Sequence, residues 1–455
     1  MTRCILKMRG TFLKLLAAST VGAIALSESA LAGGFINQSQ STVFNGMAYA
    51  GYAAPGSSSI ATMFLNPATM TTVNRLTIDS NYTLVIPSTR ITGTGGVAPA
   101  PGIFVPAFGT GSSGDIAQDA LVPATYVVYP FSDRLFFGIS LNAPYGNVTK
   151  PAQPWVGQLN SMTTKAKTIT ITPQFAYKFS EMFSAGIGLQ IQNFKAKFIS
   201  GTQPFPIANP TIAGLEGSGW SFGITAGVTV KPWAGTQIGL GYRSRIDQEI
   251  KGHYLVSGPA PLMPLNNSNI RGTLKLPDRL NLSFRQTINP QFDFLGSAEW
   301  QGWGRIGTAR LAGPLVPFSP VSLQAISFEY KDGWFFALGG EYKYNQDLML
   351  RAGVAYELAP IKDAVRSTRL PDNDRIWTSI GASYQLSERI AINASYSHVF
   401  VKNANIAVAQ GNPAFGGPPT NAAFLGRARS HVDIFSVGLT TRWGTAKIPG
   451  VVAKY

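Results

Sequence analysis

Cysteine is almost missing from this sequence: its 455 residues contain one, Cys4. That residue lies in a basic stretch carrying Arg3, Lys7, Arg9 and Lys14, followed by an apolar run from Leu15 to Leu26 and by Ala30-Leu31-Ala32. These are the three zones of a secretory signal peptide over 1–32, with a small-residue cleavage site. Cleavage after Ala32 leaves an exported chain without cysteine, which excludes a disulfide scaffold, a thiolate metal site and a lipid-anchored N-terminal cysteine. Charge is scarce as well, at 13% of residues. Long hydrophobic runs are absent: the leader's run is shorter than the roughly 20 residues a membrane helix needs, and no later segment is continuously apolar for that length. An exported chain of low charge without membrane helices points to the other structure that satisfies every backbone group in lipid, a closed β-barrel.

What charge there is leans basic. Without the leader the balance is 33 Lys+Arg against 21 Asp+Glu, a net of +12. The cations are scattered singly rather than grouped into patches, so no nucleic-acid partner is expected. A basic surface can instead pair with anionic lipopolysaccharide or with substrate carboxylates. Nothing in the pattern of residues calls for a cofactor or a metal.

The positive signal is a period of two. From Trp220 to Val230 one parity reads Trp220, Phe222, Ile224, Ala226, Val228 and Val230, and the other is Ser, Gly and Thr throughout. Eleven residues is the length of a tilted membrane strand. Phe183 to Asn193 and Phe435 to Trp443 repeat the pattern. Extended along the chain, it places strands at 75–87, 121–131, 134–143, 165–179, 183–197, 218–231, 235–250, 271–288, 291–310, 324–344, 348–358, 375–386, 389–403 and 430–443, fourteen in all. The entry of 324–331 into 334–344 through Lys331-Asp332-Gly333 is read as a bulge within one strand. Short turns at Ser132-Asp133, Ser180-Met182, Pro232-Ala234, Asn289-Pro290, Asn345-Asp347 and Ser387-Glu388 alternate with long links at 88–120, 144–164, 198–217, 251–270, 311–323, 359–374 and 404–429. In outer-membrane barrels short turns are periplasmic and long loops extracellular, so both ends of this wall fall in the periplasm. A soluble sandwich would also alternate, but it has no use for a second face of Gly, Ser, Thr and Gln on strand after strand. The expected fold is all-β: a 14-stranded antiparallel transmembrane barrel over 74–443, with a tail over 444–455.

Residues 33–73 do not alternate. They are rich in Gly, Ala, Ser and Asn, yet they carry Phe35, Ile36, Val43, Phe44, Met47, Tyr49, Ile60, Met63, Phe64 and Leu65, too many apolar groups to leave in water. A 14-stranded lumen is wide enough to need a plug, and this segment is the expected one. It ends in Asn66-Pro67-Ala68, where Asn66 can cap a short helix opening at Pro67.

Here the sequence resembles the FadL-type long-chain fatty acid transporters of Gram-negative outer membranes. Asn66-Pro67-Ala68 matches that family's N-terminal hatch motif, and Asn45-Gly46-Met47-Ala48-Tyr49-Ala50-Gly51 resembles its run of small residues around an aromatic. Leu370-Pro371-Asp372-Asn373-Asp374-Arg375-Ile376-Trp377 is similar to its stretch at the entry to a late strand, and Leu276-Pro277-Asp278 to a related turn. The chain departs from the pattern at its end, where Trp443 closes the last strand and a tail runs on to Tyr455.

The resemblance implies uptake of hydrophobic molecules in three steps: capture by extracellular loops, a pocket in the barrel, and sideways release through a gap in the wall. The third and fourth long links carry the apolar residues for capture, among them Phe205, Ile207, Leu255, Leu262 and Met263, which as readily pack on one another as a lid. A fatty carboxylate wants a cation, and the family's basic positions match Lys195 and Lys331. Parity, however, sets Lys195 on the apolar face, where Lys195 and Lys197 would snorkel at the membrane rim. For release, Ala143-Pro144-Tyr145-Gly146 breaks strand 3, since proline cannot donate to a ladder and glycine tolerates a kink. The expected partner is a fatty acid or an aromatic or other hydrocarbon, held by a monomer. Two other readings have less to stand on. A lipase would have to use His253, His398 or His431 without a G-x-S-x-G elbow, and a polar-solute porin would lack the plug.

Overall fold

The computed structural model describes residues 34–56, 59–100, 103–202, 212–257, 266–312, 325–415 and 421–445. The expected leader, 1–32, and the end of the expected tail lie outside them. Fourteen antiparallel strands form the wall of a closed barrel. In chain order strands 1 to 7 are Leu76–Ala100; Ala120–Pro130; Leu135–Asn142 with Gly146–Thr149; Thr163–Lys178; Phe183–Gly201; Ile212–Val230; and Thr236–Arg243 with Ile246–Ser257. Strands 8 to 14 are Asn269–Leu276 with Arg279–Asn289; Phe292–Gln301 with Thr308–Ala312; Gly333–Lys343; Leu348–Leu358; Arg375–Ser387; Ile390–Val401 with Ala404–Val408; and Ala422–Trp443. Each pairs with its sequence neighbour, and Leu76↔Trp443 through Val97↔Ala422 closes strand 14 on strand 1.

The six short turns stand where the sequence puts them, and the same local chemistry builds most of them. Ser132 Oγ accepts from the backbone of Arg134 and Leu135, Ser180 Oγ from Met182 and Phe183, Asn289 Oδ1 from Gln291 and Phe292, and Asn345 Oδ1 from Asp347 and Leu348. A side-chain oxygen that folds back on the next two amides mimics a backbone turn, which is why Ser and Asn stand at these positions.

Outside the turns, strand ends are longer than the alternation suggests. Strands 5 and 6 continue to Gly201 and back to Ile212, strand 7 to Ser257, strand 1 to Ala100, and strand 14 begins at Ala422. Beyond the lipid-facing band the outer face no longer has to be apolar, so the ladder goes on after the period-two signal has ended. The expected continuous strand over 324–344 is corrected: Ala325–Ser327 pairs with Thr308–Ala312 of strand 9, residues 328–332 leave the ladder, and Gly333–Lys343 resumes on Phe292–Gln301 of the same strand as strand 10. Lys331 N donates to Pro360 O at 2.9 Å. That bond turns the chain toward the link after strand 11, so no bulge is needed.

The described residues of 34–73 fill the lumen and are almost wholly buried. Their short helices, Thr42–Asn45, Ile60–Phe64 and Pro67–Thr72, leave many backbone groups without helical partners. The wall's inner hydroxyls and amides take them. Thr42 N donates to Asn81 Oδ1 (2.8 Å), Gly51 N to Ser297 Oγ (2.8 Å) and Ala53 N to Ser283 Oγ (3.0 Å). The polar parity of the strands is therefore a socket for a plug rather than the lining of a water channel.

Glycines set how closely the hatch approaches. A Cβ on Gly239 would lie 1.8 Å from the Ala53 carbonyl oxygen, and one on Gly353 would lie 2.2 Å from the Met47 carbonyl oxygen. Gly239→Val should leave the barrel folded and dislodge the hatch. The expected result is rapid proteolysis within 34–73 and a raised ion conductance in planar bilayers, with the barrel's heat-modifiable gel shift unchanged.

Candidate functional site

The hatch motif is placed as its chemistry suggests. Asn66 Oδ1 accepts from Ala68 N (3.0 Å) and caps the helix that opens at Pro67, while its Nδ2 donates to Ala53 O (2.8 Å) and to Val228 O (3.0 Å) on strand 6. One side chain thus joins two parts of the hatch and the wall. Asn66→Ala removes a cap and two buried bonds, a loss of about 1–3 kcal/mol. Limited proteolysis of the hatch in the folded barrel should quicken accordingly.

Strand 3 is interrupted at Ala143–Tyr145, and the interruption opens the ladder on one side only. Toward strand 4 pairing persists through Asn142↔Thr170 and resumes at Gly146↔Lys167. Toward strand 2 the last rung is Thr125↔Leu141. Above it, among the described residues, strands 2 and 3 meet again only at the isolated bridge Ala117↔Thr149. Residues 118–124, the start of strand 2 and the two residues before it, therefore face a break in the wall roughly 20 Å long.

The hatch supplies what strand 2 does not. Ile36 forms an antiparallel bridge with Tyr145, bracketed by Asn37 N→Pro144 O and Gly146 N→Phe35 O, both 2.8 Å. Asn37 Nδ2 (3.0 Å) and Gln40 Nε2 (2.9 Å) both donate to Ala143 O. Tyr126 on strand 2 donates its hydroxyl to Gln40 O at 2.8 Å and accepts from Asn142 Nδ2 at 2.8 Å. Residues 35–40 thus lie across the break from inside.

Above this point the lumen holds an apolar cluster. It joins Phe35 and Ile36 of the hatch to Tyr145, Phe194, Leu276 and Trp303 of the wall, with Phe198 and Tyr330 packed against it. The Phe35 ring lies 4.7 Å from that of Trp303 and 6.2 Å from that of Tyr145. The Tyr145 hydroxyl donates to Pro277 O (3.0 Å), so the Leu276-Pro277-Asp278 turn steadies the far side of the kink. Asp372 of the late motif fastens the start of the hatch, accepting from Gly34 N at 2.9 Å, and it also pairs with Arg375.

The link between strands 11 and 12 folds over this cluster through Ile361 and Leu370. It carries two buried or half-buried guanidinium groups of opposite circumstance. Arg366 is satisfied by Asp363 and by the carbonyls of Asp372 and Asn405. Among the described residues Arg369 has only hydroxyls, Thr164 Oγ1 at 3.3 Å and Ser200 Oγ, and it lies 5.7 Å from the Phe198 ring. Its carbonyl accepts from Thr149, directly above the break. With no carboxylate beside it, burial pushes the guanidinium down to about 10, so it stays charged at neutral pH. Nothing in the sequence distinguishes Arg369 from Arg366 three residues earlier.

The two cations expected from sequence are not in this cluster. Lys195 is exposed on the outer face, because Gln190, Gln192, Phe194 and Ala196 keep the inward parity without a bulge from Phe183 to Gly201. Lys331 is exposed in the link before strand 10. Leu255 is half-buried and opposite in parity to Tyr254 and Val256, which pack inward with Leu215, Ile270 and Leu311. Phe205, Ile207, Leu262 and Met263 lie outside the described residues.

A plugged 14-strand barrel with a wall break at strand 3 can be set beside known proteins. The model of the family described as outer membrane protein transport protein (OMPP1/FadL/TodX) matches residues 23–443. The chain belongs to this family. Among its curated relatives, the long-chain fatty acid transport protein of Salmonella typhi is 25% identical over 86% of this chain and 92% of its own length. The 47 kDa outer membrane protein of Pasteurella multocida is 28% identical over 85% and 91%. Among solved structures, a FadL homologue from Pseudomonas aeruginosa superposes with a TM-score of 0.80 at 25% identity, over 91% of this chain and all of that one. The toluene transporter TbuX of Ralstonia pickettii shares the fold, with a TM-score of 0.64 at 14% identity over 90% of this chain and all of that one. This FadL-family chain is accordingly a multi-pass β-barrel of the Gram-negative outer membrane.

Proposed function

We propose that this FadL-type transporter carries long-chain fatty acids inward. On this reading they are captured at the extracellular mouth, seated in the apolar cluster above the hatch with the carboxylate on Arg369, and released sideways through the break between strands 2 and 3. The observation that carries the reading is Arg369, a charged group beside the Phe198 ring of the apolar cluster, with hydroxyls as its only side-chain partners among the described residues. A neutral hydrocarbon has no use for it, whereas a fatty carboxylate completes it with a charge-assisted pair. The fatty acid relatives support the same cargo.

The energies are compatible with a displaceable closure. The five bonds that hold residues 35–40 to Ala143–Gly146 come to about 5 kcal/mol at roughly 1 kcal/mol each. Burying an acyl chain is worth about 0.8 kcal/mol per CH₂, so a handful of methylenes suffices to replace Phe35 and Ile36 in the cluster. The test is mass spectrometry of small molecules released from protein purified in gentle detergent. Fatty acids are the expected finding, and an aromatic compound or an empty protein would overturn the cargo assignment.

A further inference from the structure

Two wall cations close on one ring of the hatch. The guanidinium carbons of Arg243 and Arg279 lie 4.3 Å and 5.6 Å from the centroid of Phe64, and the Tyr52 ring stacks against the same ring at 6.1 Å. Charge is out of balance here, because three guanidinium groups stand against two carboxylates. Glu299 is held by Arg279, Asn281 and Gln301, and Asp278 by Arg305 at 2.8 Å. Arg243 has no carboxylate among the described residues and donates only to Phe64 O at 2.6 Å and to Gln190 Oε1. A buried charge without a counter-charge is costly. Two donors at the same place are unused as well: Arg279 Nη1 and Tyr52 Oη, on side chains only 1% exposed, have no hydrogen-bond partner among the described residues.

The remaining donors of this region are occupied by oxygens of the hatch. Arg279 Nη2 donates to Gln38 Oε1 at 2.7 Å, Asn142 Nδ2 and Ala143 N both donate to Gln40 Oε1 at 3.2 Å, and Tyr126 Oη donates to Gln40 O. Gln38 and Gln40 belong to the segment that lies across the break. When that segment withdraws, the guanidinium, the hydroxyl and the amides each lose a hatch acceptor together. A set of donors around a surplus cation then faces the break, and an anion completes it.

We propose that these donors form a second carboxylate site, which takes the head of the fatty acid when residues 35–40 leave the break. This inference rests on the fatty acid cargo proposed above. Arg279, Tyr126 and Asn142 exchange the neutral oxygens of Gln38 and Gln40 for the two oxygens of a carboxylate, and Arg243 is the charge that it balances. The exchange favours the cargo, since a hydrogen bond to an ionised acceptor is stronger than one to an amide. The head is held in the lumen while the acyl chain passes sideways into lipid. Gln38 and Gln40 regain their donors only after the carboxylate has gone, so the hatch closes behind the cargo and not upon it.

The test counts the molecules bound per barrel by native mass spectrometry of the full-length mature protein in detergent, with hexadecanoate and its methyl ester as probes. The parent should retain one hexadecanoate, on Arg369. The variant Q38A/Q40A, which strips the hatch oxygens from the donors, should retain two, and Q38A/Q40A/R369A should retain one. Adding Arg279→Met to Q38A/Q40A should weaken the second molecule about ten- to hundredfold. Adding Arg243→Gln instead should do the same, and it decides the matter if the Arg279 variant lacks the heat-modifiable gel shift of a folded barrel. The methyl ester should never bind twice. A folded Q38A/Q40A barrel that takes a single molecule would overturn the second site and leave the reading of Arg369 standing. So would a second molecule that is insensitive to these arginines or is matched by the ester. Parent and Q38A/Q40A barrels that both take none would overturn the cargo assignment and this site with it.

Discussion

Cysteines introduced at Ile36 and Tyr145 should switch uptake off when oxidised and on again when reduced. The two residues face each other in an antiparallel bridge whose flanking bonds, Asn37 N→Pro144 O and Gly146 N→Phe35 O, make them a non-hydrogen-bonded pair. Such pairs bring Cα atoms to about 4.5 Å, within disulfide range. The only natural cysteine is Cys4, within the segment 1–32 expected to be cleaved on export, so the engineered bridge is expected to have no competitor. A staple there holds residues 35–37 across the break and keeps Phe35 in the apolar cluster. Labelled fatty acid entering cells should fall to the level of an empty outer membrane, and a reductant should restore it. Bulky replacements at Ala143 or Gly146 should block uptake irreversibly while leaving binding at the mouth intact.

Arg369→Ala should weaken binding of a long-chain fatty acid roughly ten- to hundredfold, the worth of a hydrogen bond to a charged group at about 1.5–3 kcal/mol. Binding of a neutral aromatic such as toluene should not change, and comparing the two separates loss of the cation from loss of the fold. Stability should hardly suffer, because the partners left behind are the hydroxyls of Thr164 and Ser200. Since burial pushes this guanidinium down to about 10, fatty acid binding should be level from neutral pH up to that value and decline above it. The sign follows from the charge: deprotonation removes the attraction, and the carboxylate is already ionised across the whole range. Isothermal titration at stepped pH reads both effects.

The wall was legible because each strand is solvated differently on its two faces. Trp220 to Val230 alternates apolar with small polar residues since one face meets lipid and the other meets the hatch. Where that contrast ends, so does the signal. Ile212 to Gly217 belongs to strand 6, yet it lies above the membrane and reads as loop. The turns were visible through Ser132, Ser180, Asn289 and Asn345, whose chemistry is local. The break in strand 3 was visible in Pro144 for the same reason.

The candidate site was mostly hidden, because it is made by contacts between distant segments. Ile36 and Tyr145 are 109 positions apart, and neither is unusual in its own surroundings. Arg366 and Arg369 are indistinguishable on paper, and only the fold gives the first an aspartate and leaves the second with hydroxyls. Lys195 was read two ways, as a lumenal cation by resemblance and as a rim residue by parity, and its exposed outward position follows parity. Gly239 and Gly353 likewise carry no mark in the sequence of the hatch backbone that each must admit.

The claim that a fatty acid is the cargo, held through its carboxylate, is tested most directly by uptake in competition. Cells lacking their own outer-membrane carrier, complemented with this chain, take up a labelled long-chain fatty acid in the presence of excess toluene or of excess unlabelled fatty acid. The account predicts uptake well above the uncomplemented cells, suppressed by unlabelled fatty acid, indifferent to toluene and reduced in the Arg369→Ala variant. Uptake no better than that of uncomplemented cells, or uptake suppressed by toluene and unaffected by loss of Arg369, would contradict it.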